Sequence, residues 1–354
     1  MKPVPVIGHD DLRARLLARV RDRSLPASLL FHGPAGVGKQ RLALAIAQAI
    51  VCDSADAPCG SCQHCRMATE WQHPDITWVF PRPRLKAADP GIDEVAADLA
   101  EAIDDRKKSG GWYAPPPGSD GIYVATVRAI VQRMASAPAL AKRRALIVGD
   151  AERMVSQEGA DQAANAFLKL LEEPPAGTTI ILTSSEPGAL LPTIRSRVVA
   201  MRVAPLPERH VRAVLDADGV RDALRDAGLP EATEHLIALA GGAPGTWFAA
   251  AARTAAVADA RAMLDAAQGS PAERFRMAFQ QGASGARGSF ADVLDALTDV
   301  LAERIRQSAD RSPDRALAAA RAQLELEQVK ALAQNNITPQ LITARLLGAL
   351  EGVR

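Results

Sequence analysis

Gly33-Pro-Ala-Gly-Val-Gly-Lys39, near the start of the chain, has the residue types and spacing of a phosphate-binding loop. Glycines in such a loop let successive backbone N–H groups converge on phosphate oxygens, and the helix that follows adds its positive end. Gly33, Gly36 and Gly38 would line the cradle, and Lys39 would reach the β- and γ-phosphates. The eighth position should carry a Ser or Thr hydroxyl for Mg²⁺, but it is Gln40. An amide oxygen can bind a metal, yet the longer Gln side chain does not fit the same geometry. A second metal anchor is expected at the end of a later strand, which reads Leu146-Ile-Val-Gly149-Asp150-Ala151. In one register Gly149 stands where an active ATPase carries its metal-binding Asp, and it has no side chain to offer. A register shifted by one puts Asp150 there, but the position of the base then falls on Ala151. In both registers the metal site is degraded. Metal-assisted positioning carries most of phosphoryl transfer, so no useful Mg²⁺-dependent turnover is expected. The residues leave open both an empty loop and an idly held nucleotide.

A second chemical cluster follows at once. Cys52, Cys59, Cys62 and Cys65 form a C-x6-C-x2-C-x2-C pattern and are all the cysteines of the chain. Four thiolates surround Zn²⁺ tetrahedrally, and x2 spacings make tight turns that aim successive sulfurs inward. A full ligand set with no open position implies one structural zinc per chain and no metal catalysis. Two disulfides are disfavoured by a reducing compartment, and an iron–sulfur cluster by the lack of any redox-cofactor motif. His64 and His73 are near, but four sulfurs leave them no necessary role.

The elements that must position these groups read as strand-then-helix units. Leu29-Leu-Phe31 is a short apolar strand, followed by the loop and a helix over Lys39 to Val51 that is apolar nearly all round. Further strands are expected at Ile76 to Phe80, Ala145 to Val148, Thr179 to Leu182 and Val198 to Val203. Short apolar strands separated by helices imply a parallel sheet covered on both faces. Pro81 to Gly121, rich in Pro and Gly, reads as an exposed, partly mobile insertion with one helix near Glu94 to Lys107. After Pro205 the pattern turns helical. A small domain ends in Gly241-Gly-Ala-Pro-Gly245, and a bundle follows, punctuated by Gly269-Ser-Pro271, Gly282 to Gly288, Ser312-Pro313 and Thr338-Pro339. Leu341, Ile342, Leu346 and Leu350 give its last helix an apolar stripe. Glu172 and Glu173 end a helix stopped by Pro174-Pro175; adjacent positions do not face one another, so they read as structural or subunit-contact residues.

Taken together, Leu29 to Lys39, the four cysteines, His73-Pro-Asp75, Asp150-Ala-Glu-Arg-Met154, Asn165-Ala-Phe-Leu-Lys-Leu-Leu-Glu-Glu-Pro-Pro175 and Ile194-Arg-Ser-Arg197 resemble the clamp-loader family of AAA+ proteins, on its bacterial delta-prime side. The resemblance spans residues 1 to about 206. It implies an α/β AAA+ P-loop core with a parallel sheet and a small zinc module, then a helical lid and a C-terminal all-α collar domain. The corresponding boundaries are 1–206 for the core (zinc module 52–65, insertion 81–121), 207–252 for the lid and 253–354 for the collar. Its members sit with gamma/tau and delta subunits in a pentameric ring of the DNA polymerase III complex, which loads a sliding clamp on primed DNA in replication. The resemblance also implies that Arg197, in Ser196-Arg197-Val198, is an arginine finger for ATP held next door, with Arg195 as the other donor. An ordinary surface salt bridge is the plainer role for Arg197. Val198 replaces the usual Cys at a packing position, and Gly245 stands where active relatives carry a lid arginine.

Composition narrows the alternatives. A net charge of +1 gives no bulk field for nucleic acid, and 4% aromatics make a poor stacking platform. A zinc-dependent nucleic-acid-binding adaptor is therefore the weakest reading, behind an active motor of the gamma/tau kind. The start has no apolar signal segment, and the uncharged stretch from Leu236 to Ala252 is broken by Gly and Pro. A cytoplasmic protein without membrane contact is expected.

Overall fold

The computed structural model describes residues 5–87, 90–113, 120–154, 167–229, 232–280, 287–308, 313–334, 339–351 and 353. Each apolar run becomes a strand: β1 (Ser28–His32), β2 (Ile76–Val79), β3 (Arg144–Val148), β4 (Thr178–Ser184) and β5 (Val199–Arg202). They form one sheet in the order β2-β3-β4-β1-β5, and every pairing is parallel. Alternation of side chains sends Leu29, Phe31, Ala145, Ile147 and Ile181 to one face, where α1 (Asp10–Arg21) and α2 (Lys39–Val51) pack. Leu30, Leu146, Val148, Ile180 and Leu182 face the other way. There they meet α5 (Val124–Ala135) and α6, helical residues 167–172, through Val127, Ile130, Met134, Phe167 and Leu171. Asn165 and Ala166, which open the α6 motif in the sequence, lie outside the described residues. The patterning assigns no helix at α5; its C-terminal carbonyls, on Arg133 and Met134, accept from Arg144 at the start of β3.

The insertion differs from expectation. It holds α4 (Ile92–Lys108), close to the expected span, but it is not simply an exposed segment. Val95, Ala102 and Arg106 are buried, and Gly110 and Gly111 beyond them are buried too. A charged residue enters the core because three rings receive it: the Arg106 guanidinium lies 3.3 Å from the Phe80 ring centre, 3.6 Å from Tyr113 and 4.9 Å from Trp78.

Asp75, just before β2, fixes a neighbouring loop. Its carboxylate accepts from the backbone N–H groups of Ala139, Leu140 and Ala141 at 2.5–2.8 Å. Burial alone would raise this carboxyl, but the three N–H donors outweigh it and hold the pKa below the ordinary 3.8. A depressed folded value means that the stabilisation is present above the unfolded pKa and is lost as pH falls through the folded one. Asp75→Asn should therefore lower stability near neutral pH by about 2 kcal/mol, a gap that closes in acid. Urea unfolding of both proteins at neutral and acid pH checks this.

After the sheet come α7 (Pro192–Arg195), α8 (Glu208–Leu215), α9 (Val220–Asp226), α10 (Thr233–Ala240) and α11 (Thr246–Ala267). Helices α8 to α10 and the first turn of α11 pack around Val211, Leu215, Val220, Leu236 and Trp247, whose indole N–H donates to Leu236 O at 2.7 Å. The chain divides into two compact units, one reaching to Phe248 and one taking in Ala249–Arg354, so α11 runs on past the division. The second unit contains α12 (Pro271–Gln280), α13 (Arg287–Ser308), α14 (Pro313–Gln334) and α15 (Pro339–Ala349), packed around Leu297, Leu301, Leu326, Val329, Leu346 and Leu350. The expected stripe on α15 is narrower than drawn: Ile342, Leu346 and Leu350 are buried, but Leu341 is 66% exposed, one position off the inward face. Of the punctuation expected there, residues 282–286, Ser312 and Thr338 lie outside the described residues.

Candidate functional site

The loop sits between β1 and α2, with Gly36 (φ 79°) and Gly38 (φ 95°) in the left-handed region that favours glycine. Gly33 passes so close to β5 that a Cβ there would lie 2.1 Å from Val203 O. Lys39 does not reach outward. Its ammonium donates to Gly33 O (2.9 Å), Pro34 O (2.8 Å) and Ser185 Oγ (2.9 Å), which uses all three of its protons. Burial lowers its pKa, against the pull of Asp150 and Glu152. Gly245, from the turn before α11, donates its N–H to Gly36 O at 2.9 Å, and a Cβ on Gly36 would stand 2.7 Å from Thr246 N. The backbone just before α11 thus lies directly on the loop.

Gln40 is buried, and each end of its amide is engaged. An indole N–H can only donate, so the amide oxygen must face Trp78 Nε1, at 3.0 Å; Arg106 approaches the same oxygen at 3.4 Å. The amide nitrogen then donates to Asp150 Oδ2 at 3.0 Å. Both residues at the end of β3 thus face the eighth loop position, Asp150 through its carboxylate and Gly149 through its open Cα. Gly149 has a different role: a Cβ there would lie 2.5 Å from the Gln40 amide carbon, so the missing side chain makes room for the amide. Burial, then Glu152, raises the Asp150 carboxyl, while Lys39 and Arg106 pull it down. The only metal-capable atom of Gln40 is turned away from Asp150. Ser185 and Arg106 were not found in the sequence; a polar Ser-Ser-Glu at the end of an apolar strand was the one available signal for Ser185.

The four cysteines converge. Their sulfurs lie within 4.8 Å of one another, with Cys52–Cys62 at 3.9 Å and Cys59–Cys65 at 4.0 Å. Four sulfurs about 2.3 Å from a tetrahedral zinc stand roughly 3.8 Å apart, so the set fits that ion. Cys52 ends α2, and Cys62 and Cys65 stand at the N-cap and within α3 (Gln63–Thr69). Backbone N–H groups of Cys62 and Cys65 point at the Cys59 and Cys62 sulfurs, both at 3.4 Å, as the x2 turns require. The N–H of Cys62, then that of Ser61, brings the Cys59 thiol down to about 6, while burial pushes the thiols of Cys62 and Cys65 up. His64 and His73 stand outside the sulfur cluster but are not idle. His73 Nδ1 accepts from Asp75 N, so its Nε2 carries the proton that it shares with His64 Nδ1 at 2.9 Å. That pair ties the cysteine helix to the start of β2.

Arg197 follows α7 on the surface. It donates to Thr193 O (2.9 Å), Ser196 Oγ (3.2 Å) and Glu172 Oε1 (2.5 Å) at the end of α6. Arg195 is exposed as well, and Val198 packs against the sheet's second face.

The sequence profile of the family described as "DNA polymerase III, delta subunit" matches residues 8–207. The chain belongs to that family. Its core is a five-stranded parallel sheet with the glycine-rich loop between β1 and α2, with a cysteine module, and helical parts follow it along the chain. "DNA polymerase III subunit delta'" of Pseudomonas aeruginosa is 32% identical over 217 residues, 61% of this chain and 52% of that protein. The Escherichia coli protein of the same name is 28% identical over 218 residues, 59% of this chain and 54% of its own length. "DNA polymerase III subunit gamma/tau" of Mycobacterium bovis is 30% identical over 214 residues, 59% of this chain and 30% of that protein. The chain spans about half the length of the delta' relatives it matches. Among the described residues, no helix is long and apolar enough to cross a membrane.

Proposed function

We propose that the chain is a non-hydrolysing delta'-type subunit of the DNA polymerase III clamp loader, an assembly with gamma/tau and delta subunits in a pentameric ring that places the sliding clamp on primed DNA. The core at 1–206, lid at 207–252 and collar at 253–354 would each take their place in that ring. The observation that carries this reading is the state of the eighth loop position. Gln40 turns its nitrogen to Asp150 and its oxygen to Trp78, so the side chains that should hold Mg²⁺ hold each other. Gly33, Gly36, Gly38 and Lys39 are then a vestigial cradle, with the Lys39 ammonium occupied by the loop's own carbonyls. Cys52, Cys59, Cys62 and Cys65 would bind one structural zinc, which supplies cross-linking and no chemistry. Arg197 would serve the ATP of a neighbour, because a guanidinium acts without a nucleotide of its own.

A second reading, an active motor subunit, is favoured by the gamma/tau relative and by the position of Asp150 opposite the loop. One assay separates the two. The purified chain, incubated with ATP, Mg²⁺ and primed DNA, is expected to show no turnover above background, and clear DNA-stimulated hydrolysis would overturn the first reading.

A further inference from the structure

Residues 110–113, just past α4, run between the loop-bearing core and the lid. On the core side, Arg41 donates to Gly110 O at 3.0 Å, and its guanidinium lies 5.5 Å from the Trp71 ring centre and 5.7 Å from Trp112. Arg41 is thus held between the two indoles, two residues beyond Lys39. On the lid side, Trp112 stacks on Phe248 with ring centres 5.1 Å apart and 22° between planes, and it lies 6.2 Å from Trp247. Phe248 stands in the first turn of α11, three residues beyond the Gly245 that bonds Gly36. Gly111 (φ 81°) sits where no other residue fits: a Cβ would lie 2.3 Å from Arg41 Nη2 and 2.5 Å from Trp71. The segment is anchored from behind, since Gly111 N donates to Arg106 O and Arg106 is itself clasped by three rings.

We propose that residues 110–113 are an internal strap that holds the helical lid shut on the phosphate loop, so that the cradle is closed by the chain's own aromatic contacts in place of a nucleotide. The Gly245–Gly36 bond and the Trp112–Phe248 stack bridge both sides of the cleft. The strap gives the buried end of the insertion its role and rests on the reading of the loop as empty.

Amide hydrogen exchange on the full chain tests it. Trp112→Ala should speed exchange in peptides covering 33–38 and 242–248 by about tenfold or more, the factor expected from one lost ring pair and one lost cation–ring contact. Peptides of β3, β4 and the cysteine cluster should be unchanged. Gly111→Ala keeps every ring but forces a methyl into Arg41 and Trp71, and should give the same pattern. Unchanged lid exchange in either variant overturns the strap, and so does equal loss across β3 and β4 in both, which would make these residues ordinary core. Equilibrium dialysis of the wild-type chain with ATP is the separate arm. Tight binding would sink the empty-loop reading and with it the claim that the strap stands in place of a nucleotide, whereas the exchange experiment alone decides whether residues 110–113 hold the lid.

Discussion

If Arg197 is the finger proposed above, Arg197→Ala should leave ring assembly intact and slow ATP turnover at the neighbouring site by on the order of 10³-fold, the lower end of what an arginine finger contributes. The guanidinium now has three local acceptors, on Thr193, Ser196 and Glu172. Leaving them costs little. Arg197 and Glu172 are both partly exposed, at 33% and 46%, and an ion pair of that kind is worth about 1 kcal/mol at most. A 10³-fold rate effect corresponds to about 4 kcal/mol, enough for a transition-state phosphate to outcompete the carboxylate. The measurement is single-turnover hydrolysis in the ring reconstituted with gamma/tau and delta partners. Arg197→Lys should restore little, because an ammonium lacks the planar fork. Equal turnover for wild type and Arg197→Ala would remove the finger, and a loss only in Arg195→Ala would move it two residues upstream.

Removing the proposed zinc should have the other large effect. Zinc binding to four thiolates supplies on the order of 10 kcal/mol, comparable with the whole stability of an ordinary domain. Cys52 and Cys65 are buried at opposite ends of the cluster, one closing α2 and one inside α3, so losing the ion strips both helix ends of their mutual tether. Metal analysis is expected to find about one zinc per chain. Cys65→Ser or exhaustive chelation should release it, melt α3 and lower the melting temperature markedly. A metal-free chain that melts like the wild type would end the zinc assignment. The His64–His73 pair predicts how far the damage spreads: the start of β2 should loosen with α3, while β4 and β1, remote from that pair, should not.

What the sequence made legible, and what it hid, follow from the range of the forces involved. Strands such as Leu29-Leu-Phe31 and Ala145 to Val148 are apolar runs whose burial is dictated locally, and they formed where the pattern put them. The cysteine cluster was legible because ligand spacing is itself a local constraint. The insertion was not. Its helix could be read from its residues, but the burial of Arg106 depends not only on nearby Tyr113 but on Trp78 and Phe80 at β2, outside the insertion's own helix. The register at the end of β3 was ambiguous for another reason. Asp150 takes a left-handed conformation (φ 48°), so the chain turns there and strand alternation no longer keeps Gly149 and Asp150 from both facing the loop. Leu341 was misplaced because adjacent apolar residues on a helix are about 100° apart, and only contacts with other helices choose between them.

The fit between Gln40 and Gly149 also bears on the history open to this chain. A hydroxyl residue at position 40 alone would leave the Trp78 indole and the Arg106 guanidinium facing a lost acceptor. Any side chain at position 149 alone would collide with the amide already there. A change at either position is thus unfavourable until the other has been made, so the two residues can be exchanged only as a pair.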